Sequence, residues 1–180
     1  MLFNQAQAAL VVIDIQERMA PSIHGIDGVI RNAGLLMDCA AALGLPVLIT
    51  EQYPAGLGPT IPAIAEKARN APRIEKTTFS CCRTQAFMQA LEALGRREII
   101  LAGIETHVCV FQTASDLIGH SYRVQVVSDA VSSRTESNRA IGLERMRRAG
   151  ADVTSFESAV FELLETSKRP EFKQILGLVK

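Results

Sequence analysis

Six short strand-like segments alternate along the chain with segments of helical periodicity, and that alternation leaves few architectures open. The strand-like segments are Ala8–Ile13, Val47–Thr50, Arg73–Lys76, Glu98–Ala102, Arg123–Val127 and Ala151–Thr154. The first, Ala8-Ala9-Leu10-Val11-Val12-Ile13, is apolar throughout, as in a strand buried on both faces of a parallel sheet. Between the strands, apolar residues recur three and four apart: Val29, Ile30, Ala33, Leu36, Met37, Ala40 and Leu43 before Gly44, then Phe87, Met88, Leu91 and Leu94 before Gly95. The same pattern returns at Val110, Ala114, Leu117 and Ile118 before Gly119, and at Ile141, Leu143 and Met146 before Gly150. Glycine just past a periodic run is a helix stop. A short helix is expected over Pro62–Arg69, and one or two more over Glu157–Lys180 around Pro170. Met19–Asp27 and Glu51–Pro59 read as loops. The alternation predicts an α/β fold with three αβα layers and a doubly wound, six-stranded parallel sheet of Rossmann-like form. No repeat, low-complexity tract or linker divides it, so residues 1–180 are expected to form one domain.

Composition narrows the function. The formal net charge is +0, from 19 basic and 19 acidic residues, so no basic surface for nucleic acid is expected. No apolar run approaches the roughly 18 residues of a spanning helix. The first residues lack a charged segment followed by an apolar one, so a cytoplasmic chain without membrane partners is expected. Four cysteines (Cys39, Cys81, Cys82, Cys109) in such a chain read as free thiols. Three scattered histidines (His24, His107, His120) and the adjacent Cys81-Cys82 pair lack metal-ligand spacing, so no metal is expected. Neither a G-x-G-x-x-G nor a G-x-x-x-x-G-K-[ST] phosphate cradle occurs, and no cofactor is expected.

The chemistry-bearing residues stand where strands end. Asp14 follows the first strand, Lys76 closes the third, and Cys109 lies just past the fourth. Carboxyl ends of parallel strands share one edge of the sheet, where such folds place their ligands. In Gly103-Ile104-Glu105-Thr106-His107-Val108-Cys109-Val110, Thr106 is expected to cap the next helix, with Cys109 in its first turn. The helix dipole and Lys76 would then favour the thiolate, below the free-thiol pKa of about 8.5. An acid, a cation and a thiol at one crevice suit nucleophilic catalysis, the carboxylate taking the thiol proton. The alternative reading is a packed thiol and a solvated lysine, both common. Gln16, Tyr53 and Phe79 fall in loops after strands and could line a pocket or merely pack. His107, two residues before Cys109, could face that pocket or sit at the surface.

The sequence resembles the isochorismatase-like cysteine hydrolases, a family that includes nicotinamidases and N-carbamoyl amidohydrolases. The motifs that carry the resemblance are Val11-Val12-Ile13-Asp14-Ile15-Gln16, Glu75-Lys76-Thr77-Thr78-Phe79-Ser80, Gly103–Val110 and Asp129-Ala130-Val131-Ser132-Ser133-Arg134. The stretch Thr50–Thr60 is similar to the isochorismatase domain-containing branch. The resemblance implies the isochorismatase-like hydrolase fold and a catalytic triad: Asp14 as general base, Lys76 as its lysine and Cys109 as nucleophile. It also implies a cis peptide between Ile104 and Glu105 and an oxyanion hole from the backbone N–H groups of Glu105 and Cys109. A homo-oligomer acting on a small-molecule substrate is implied as well. Where nicotinamidases hold a metal, this chain reads Thr50-Glu51-Gln52-Tyr53 without histidine, which argues against nicotinamide. The expected activity is hydrolysis of a small amide through a thioester. A vinyl-ether hydrolase, or a binding scaffold with a vestigial site, is the alternative.

Overall fold

The computed structural model describes residues 2–68 and 70–180. Its sheet has six strands, β1 (Ala8–Ile13), β2 (Val47–Gln52), β3 (Arg73–Lys76), β4 (Glu98–Ile104), β5 (Arg123–Ser132) and β6 (Asp152–Thr154). They are ordered β3-β2-β1-β4-β5-β6 and every neighbouring pair is parallel. The helices are α1 (Ile26–Leu43), α2 (Pro54–Leu57), α3 (Pro62–Ala65), α4 (Gln85–Ala93), α5 (Phe111–Gly119), α6 (Glu136–Ala149), α7 (Phe156–Leu164) and α8 (Phe172–Val179). This is the doubly wound α/β fold expected from the alternation.

The apolar run of β1 explains how the layers form. Successive side chains of a strand point to opposite faces. Ala8, Leu10 and Val12 enter the core under α1, α7 and α8, whereas Ala9, Val11 and Ile13 enter the core under α4, α5 and α6. Strand β4 divides in the same way, Ile100, Ala102 and Ile104 against Ile99 and Leu101. Only a strand covered on both faces can bury such a run completely.

Several elements differ from their sequence boundaries. β2 runs two residues further, to Gln52, because Glu51 and Gln52 pair with Glu75 and Lys76. β5 runs five residues further, to Ser132, with a bulge that restores pairing at Gly103–Val131 and Ile104–Ser132. Within the expected loops, Ala20–Ser22 forms a 3-10 turn and Pro54–Leu57 forms α2. Helix α3 stops at Ala65; Arg69, the expected end of that helix, lies outside the described residues. Among the described residues, no helix is long and apolar enough to cross a membrane.

The chain order reverses between β1 and β4, which leaves a crevice at their carboxyl ends. Asp14 and Cys109 emerge on the two sides of that crevice. Lys76, two strands away at the end of β3, has the length to reach it.

Candidate active site

Asp14 is the first residue past β1, held at φ 52° and fully buried. Aspartate tolerates this left-handed conformation better than most residues. Its backbone N–H donates to Thr50 O at 3.1 Å. The Asp14 carboxylate accepts at both oxygens, from Thr50 Oγ1 at 2.7 Å on Oδ1 and from Lys76 Nζ at 2.6 Å on Oδ2. The buried Cys109 thiol lies close enough to this carboxylate to feel its charge. The structure thus brings Asp14, Lys76 and Cys109 together from 14, 76 and 109 along the chain.

The Lys76 ammonium is buried and enclosed. It donates to Asp14 Oδ2 and Gln52 Oε1, both at 2.6 Å, and approaches the carbonyls of Thr78 and Phe79 at 3.2 Å. Burial is the largest influence and would lower its pKa, but the Asp14 carboxylate and the nearby Cys81 and Cys109 together outweigh it and raise the value, so the ammonium persists. Burial pushes the Asp14 carboxyl above its ordinary value of 3.8, with Lys76 and Thr50 opposing.

Cys109 departs from expectation. Residues Thr106–Val110 form a π-helical turn, and Val110 N–H closes it on Glu105 O at 3.2 Å. Thr106 does not cap this turn; its buried hydroxyl has no hydrogen-bond partner among the described residues. Nor is the thiolate favoured at rest. Burial, then the Asp14 charge, push the Cys109 thiol well above its ordinary value, and Lys76 only partly opposes them. At rest the thiol keeps its proton beside the Asp14 carboxyl group.

The Ile104–Glu105 peptide bond is cis. The Glu105 side chain accepts from Arg134 at both the backbone N (3.2 Å) and Nε (3.0 Å), and His107 Nδ1 lies 3.0 Å from Ser133 Oγ. These bonds tie the turn that carries Cys109 to the segment after β5. His107 is therefore engaged with Ser133 and half-buried.

The remaining pocket residues separate. Gln16 is fully buried and its amide is spent on backbone: Nε2 donates to Gln52 O (3.0 Å) and Gly58 O (2.7 Å), and Oε1 accepts from Gln52 N–H (2.7 Å). It buttresses the 52–58 segment and has no free edge for a ligand. Tyr53 stands 57% exposed and lines a cleft of about 580 Å³ with Pro54, Glu75, Lys76, Thr78 and Arg83. Phe79 is 54% exposed and is not part of that lining; its carbonyl is what reaches Lys76. The cleft is lined by Lys76 but not by Asp14 or Cys109, which are buried.

Three neighbours of the trio escaped the sequence reading: Thr50, Gln52 and Cys81. Thr50 and Gln52 share a face of β2, two residues apart, and both point to the trio. Placing the strand end at Gln52 rather than Thr50 would have revealed that shared face. Cys81 lies fully buried with Sγ 3.8 Å from Thr50 Oγ1, and burial pushes its thiol up to about 11. Among the described residues, no group of three or more His, Cys, Asp or Glu side chains is placed to hold a metal ion.

Comparison with known proteins gives the chain's family. Residues 8–158 match the isochorismatase domain model. The chain is 40% identical over 177 residues to a secreted isochorismatase effector, Isc1, of Phytophthora sojae, covering 96% of this chain and 84% of that one. It is 37% identical to isochorismatase domain-containing protein 1 of Danio rerio, covering 98% of this chain but only 62% of that longer protein. Among solved structures, MAR1 ribonuclease from Caenorhabditis elegans superposes with a TM-score of 0.94 at 39% identity, over 99% of this chain and 92% of that one. YcaC from Pseudomonas aeruginosa, solved with hexane-2,5-diol and covalent acrylamide, superposes with a TM-score of 0.93 at 27% identity, over 98% and 91%. The chain belongs to the isochorismatase-domain family of hydrolases.

Proposed function

We propose that this protein hydrolyses a small amide with Cys109 as nucleophile, Asp14 as general base and Lys76 as the fixed cation of the site. The observation that carries this reading is a buried thiol, Cys109, beside the buried ion pair of Asp14 and Lys76. Asp14 takes the Cys109 proton as Sγ attacks the carbonyl carbon. A C–S bond forms and the carbonyl oxygen takes up the electron pair. The backbone N–H groups of Glu105 and Cys109 serve as the oxyanion hole, a contribution worth about 3 kcal/mol per donor in comparable sites. Collapse breaks the C–N bond, and the leaving amine takes the proton held by Asp14. Water then attacks the thioester, giving its proton to Asp14. Cys109 leaves as the thiol when that proton returns, and the acid departs. The covalent acrylamide on the 27%-identical YcaC supports a reactive nucleophile in a protein of this fold, since acrylamide is an electrophile that thiols attack. Catalysis in the cytoplasm by a homo-oligomer completes the proposal.

The raised Asp14 carboxyl also suits a general acid, as vinyl-ether hydrolysis would need, with the thiol dispensable. One set of variants separates the readings. On an amide panel, Cys109→Ala and Asp14→Asn are each expected to lose at least about a thousandfold in turnover. Amide turnover that survives Cys109→Ala would overturn the cysteine mechanism. Isochorismate cleavage that survives Cys109→Ala but not Asp14→Asn would install the ether reading. Single-stranded RNA belongs in the same assay, because the nematode relative bears a ribonuclease's name. RNA cleavage lost in both variants would replace the small-amide reading.

A further inference from the structure

Lys76 is the residue on which the proposed chemistry turns, and its surroundings contain a group without an assigned role. The ammonium has three N–H bonds and four oxygens around it. One is the Asp14 carboxylate and two are carbonyls of the 78–79 loop. The fourth, as short as the carboxylate contact at 2.6 Å, is the side-chain oxygen of Gln52. The orientation of that amide is settled by its other end, since Gln52 Nε2 donates to Thr77 O at 2.9 Å. Gln52 is itself clamped, its backbone N–H and C=O both engaged by the buried Gln16 amide. A rigid line therefore runs from Gln16 through Gln52 and Lys76 to Asp14 and Cys109.

We infer that Gln52 is a positioning residue: its amide oxygen fixes the Lys76 ammonium against Asp14 while adding no charge to the cluster. This rests on the reading of Cys109 as nucleophile. A hydrogen bond to a buried charge is among the stronger kinds, and its loss would leave a donor of the ammonium unsatisfied and the side chain free to shift. Neutrality matters as much as position. The titratable groups facing the Cys109 thiol are Asp14 from the end of β1, Lys76 from β3 and Cys81 from the turn after it. A carboxylate in place of the Gln52 amide would share the ammonium, add a negative charge, and make both Asp14 and the thiol hold their protons more tightly.

The experiment is site-resolved alkylation of Cys109 by iodoacetamide across pH 5–9, on the wild type and on Gln52→Glu and Gln52→Met. Far-UV circular dichroism and a urea midpoint establish that each variant is folded. In the wild type, labelling of Cys109 falls on the acid side as Asp14 takes up its proton. In Gln52→Glu that acid limb is expected to move up by about one pH unit, a tenfold loss of rate on the limb. In Gln52→Met the limb keeps its place or moves less, and the plateau rate falls about tenfold. A merely structural amide would lower stability without moving the limb. Folded variants that both keep the wild-type profile overturn the role of Gln52. Should Gln52→Glu fail to fold, Gln52→Met alone decides, by its plateau rate. A wild type in which Cys109 labels no faster than Cys39 overturns the nucleophile reading instead.

Discussion

Gly103 shows how closely the backbone must pack to form the crevice. It sits at φ 119°, paired with Ile13 across β1 and β4, and an added Cβ would lie 2.0 Å from Ile13 O and 2.6 Å from Ile13 N. Those neighbours are backbone atoms of the central strand and cannot step aside. Gly103→Ala is expected to cost at least about 3 kcal/mol, combining positive-φ strain with the clash. A urea midpoint close to the wild type would refute this. At the same scale, Asp14, Lys76 and Cys109 were legible as single positions because each follows a strand that its apolar or alternating pattern announces. Their protonation was not legible. Helix position and a nearby lysine argue for thiolate, but neither reveals that Cys109 is buried, and desolvation is the larger effect.

The elements carry the site by fitting against one another. Helix α6 lies on the π-helical turn, and Gly142 makes that approach possible: a Cβ there would come within 2.8 Å of His107 N and Thr106 C. Gly142→Ala would gain roughly 1 kcal/mol of helix propensity in isolation. The contact forces α6 away from Thr106–Val110, so a net loss of about 1–2 kcal/mol is expected in urea unfolding, together with slower Cys109 alkylation. A stabilised variant would mean that α6 does not hold the turn. Periodicity placed α1, α4, α5 and α6, and Gly44, Gly95 and Gly150 follow α1, α4 and α6 as expected. Helix α5 instead takes in Gly119, with His120 as its C-cap, and in α6 the expected stripe is not buried throughout, with Ile141 exposed and Met146 inside. Periodicity could not show the π-helical turn. Thr106 reads as a cap by residue type, but the bond from Val110 N–H to Glu105 O depends on where β4 delivers the chain.

Across the whole molecule, buried thiols tie stability to pH. Cys39 and Cys82 are pushed up to about 12 and Cys81 to about 11, in each case chiefly by burial, against an ordinary value of 9.0. The folded chain thus keeps these protons where the unfolded chain loses them. Their contribution is present in full below pH 9 and is lost as pH rises through 9 toward 11 and 12. Cys39 lies on the buried face of α1, away from the trio, and isolates the effect. Between pH 8 and 10.5, Cys39→Ala is expected to lose about 2 kcal/mol less stability than the wild type. Equal losses in urea titrations followed by circular dichroism would refute it.

The order of strands and helices along the chain, the parallel sheet and the ends of β1, β3 and β6 were determined by the sequence alone. Hydrophobic periodicity and glycine stops are local, and a run such as Ala8–Ile13 has one economical burial, between two helical layers. Tertiary structure alone decided that Gln16 faces backbone rather than ligand, that Gln52 reaches Lys76, and that Asp14 and Cys109 are buried together. Those outcomes depend on strand register and loop path. A shift of one residue turns a side chain to the opposite face, and no local pattern specifies which partner waits there.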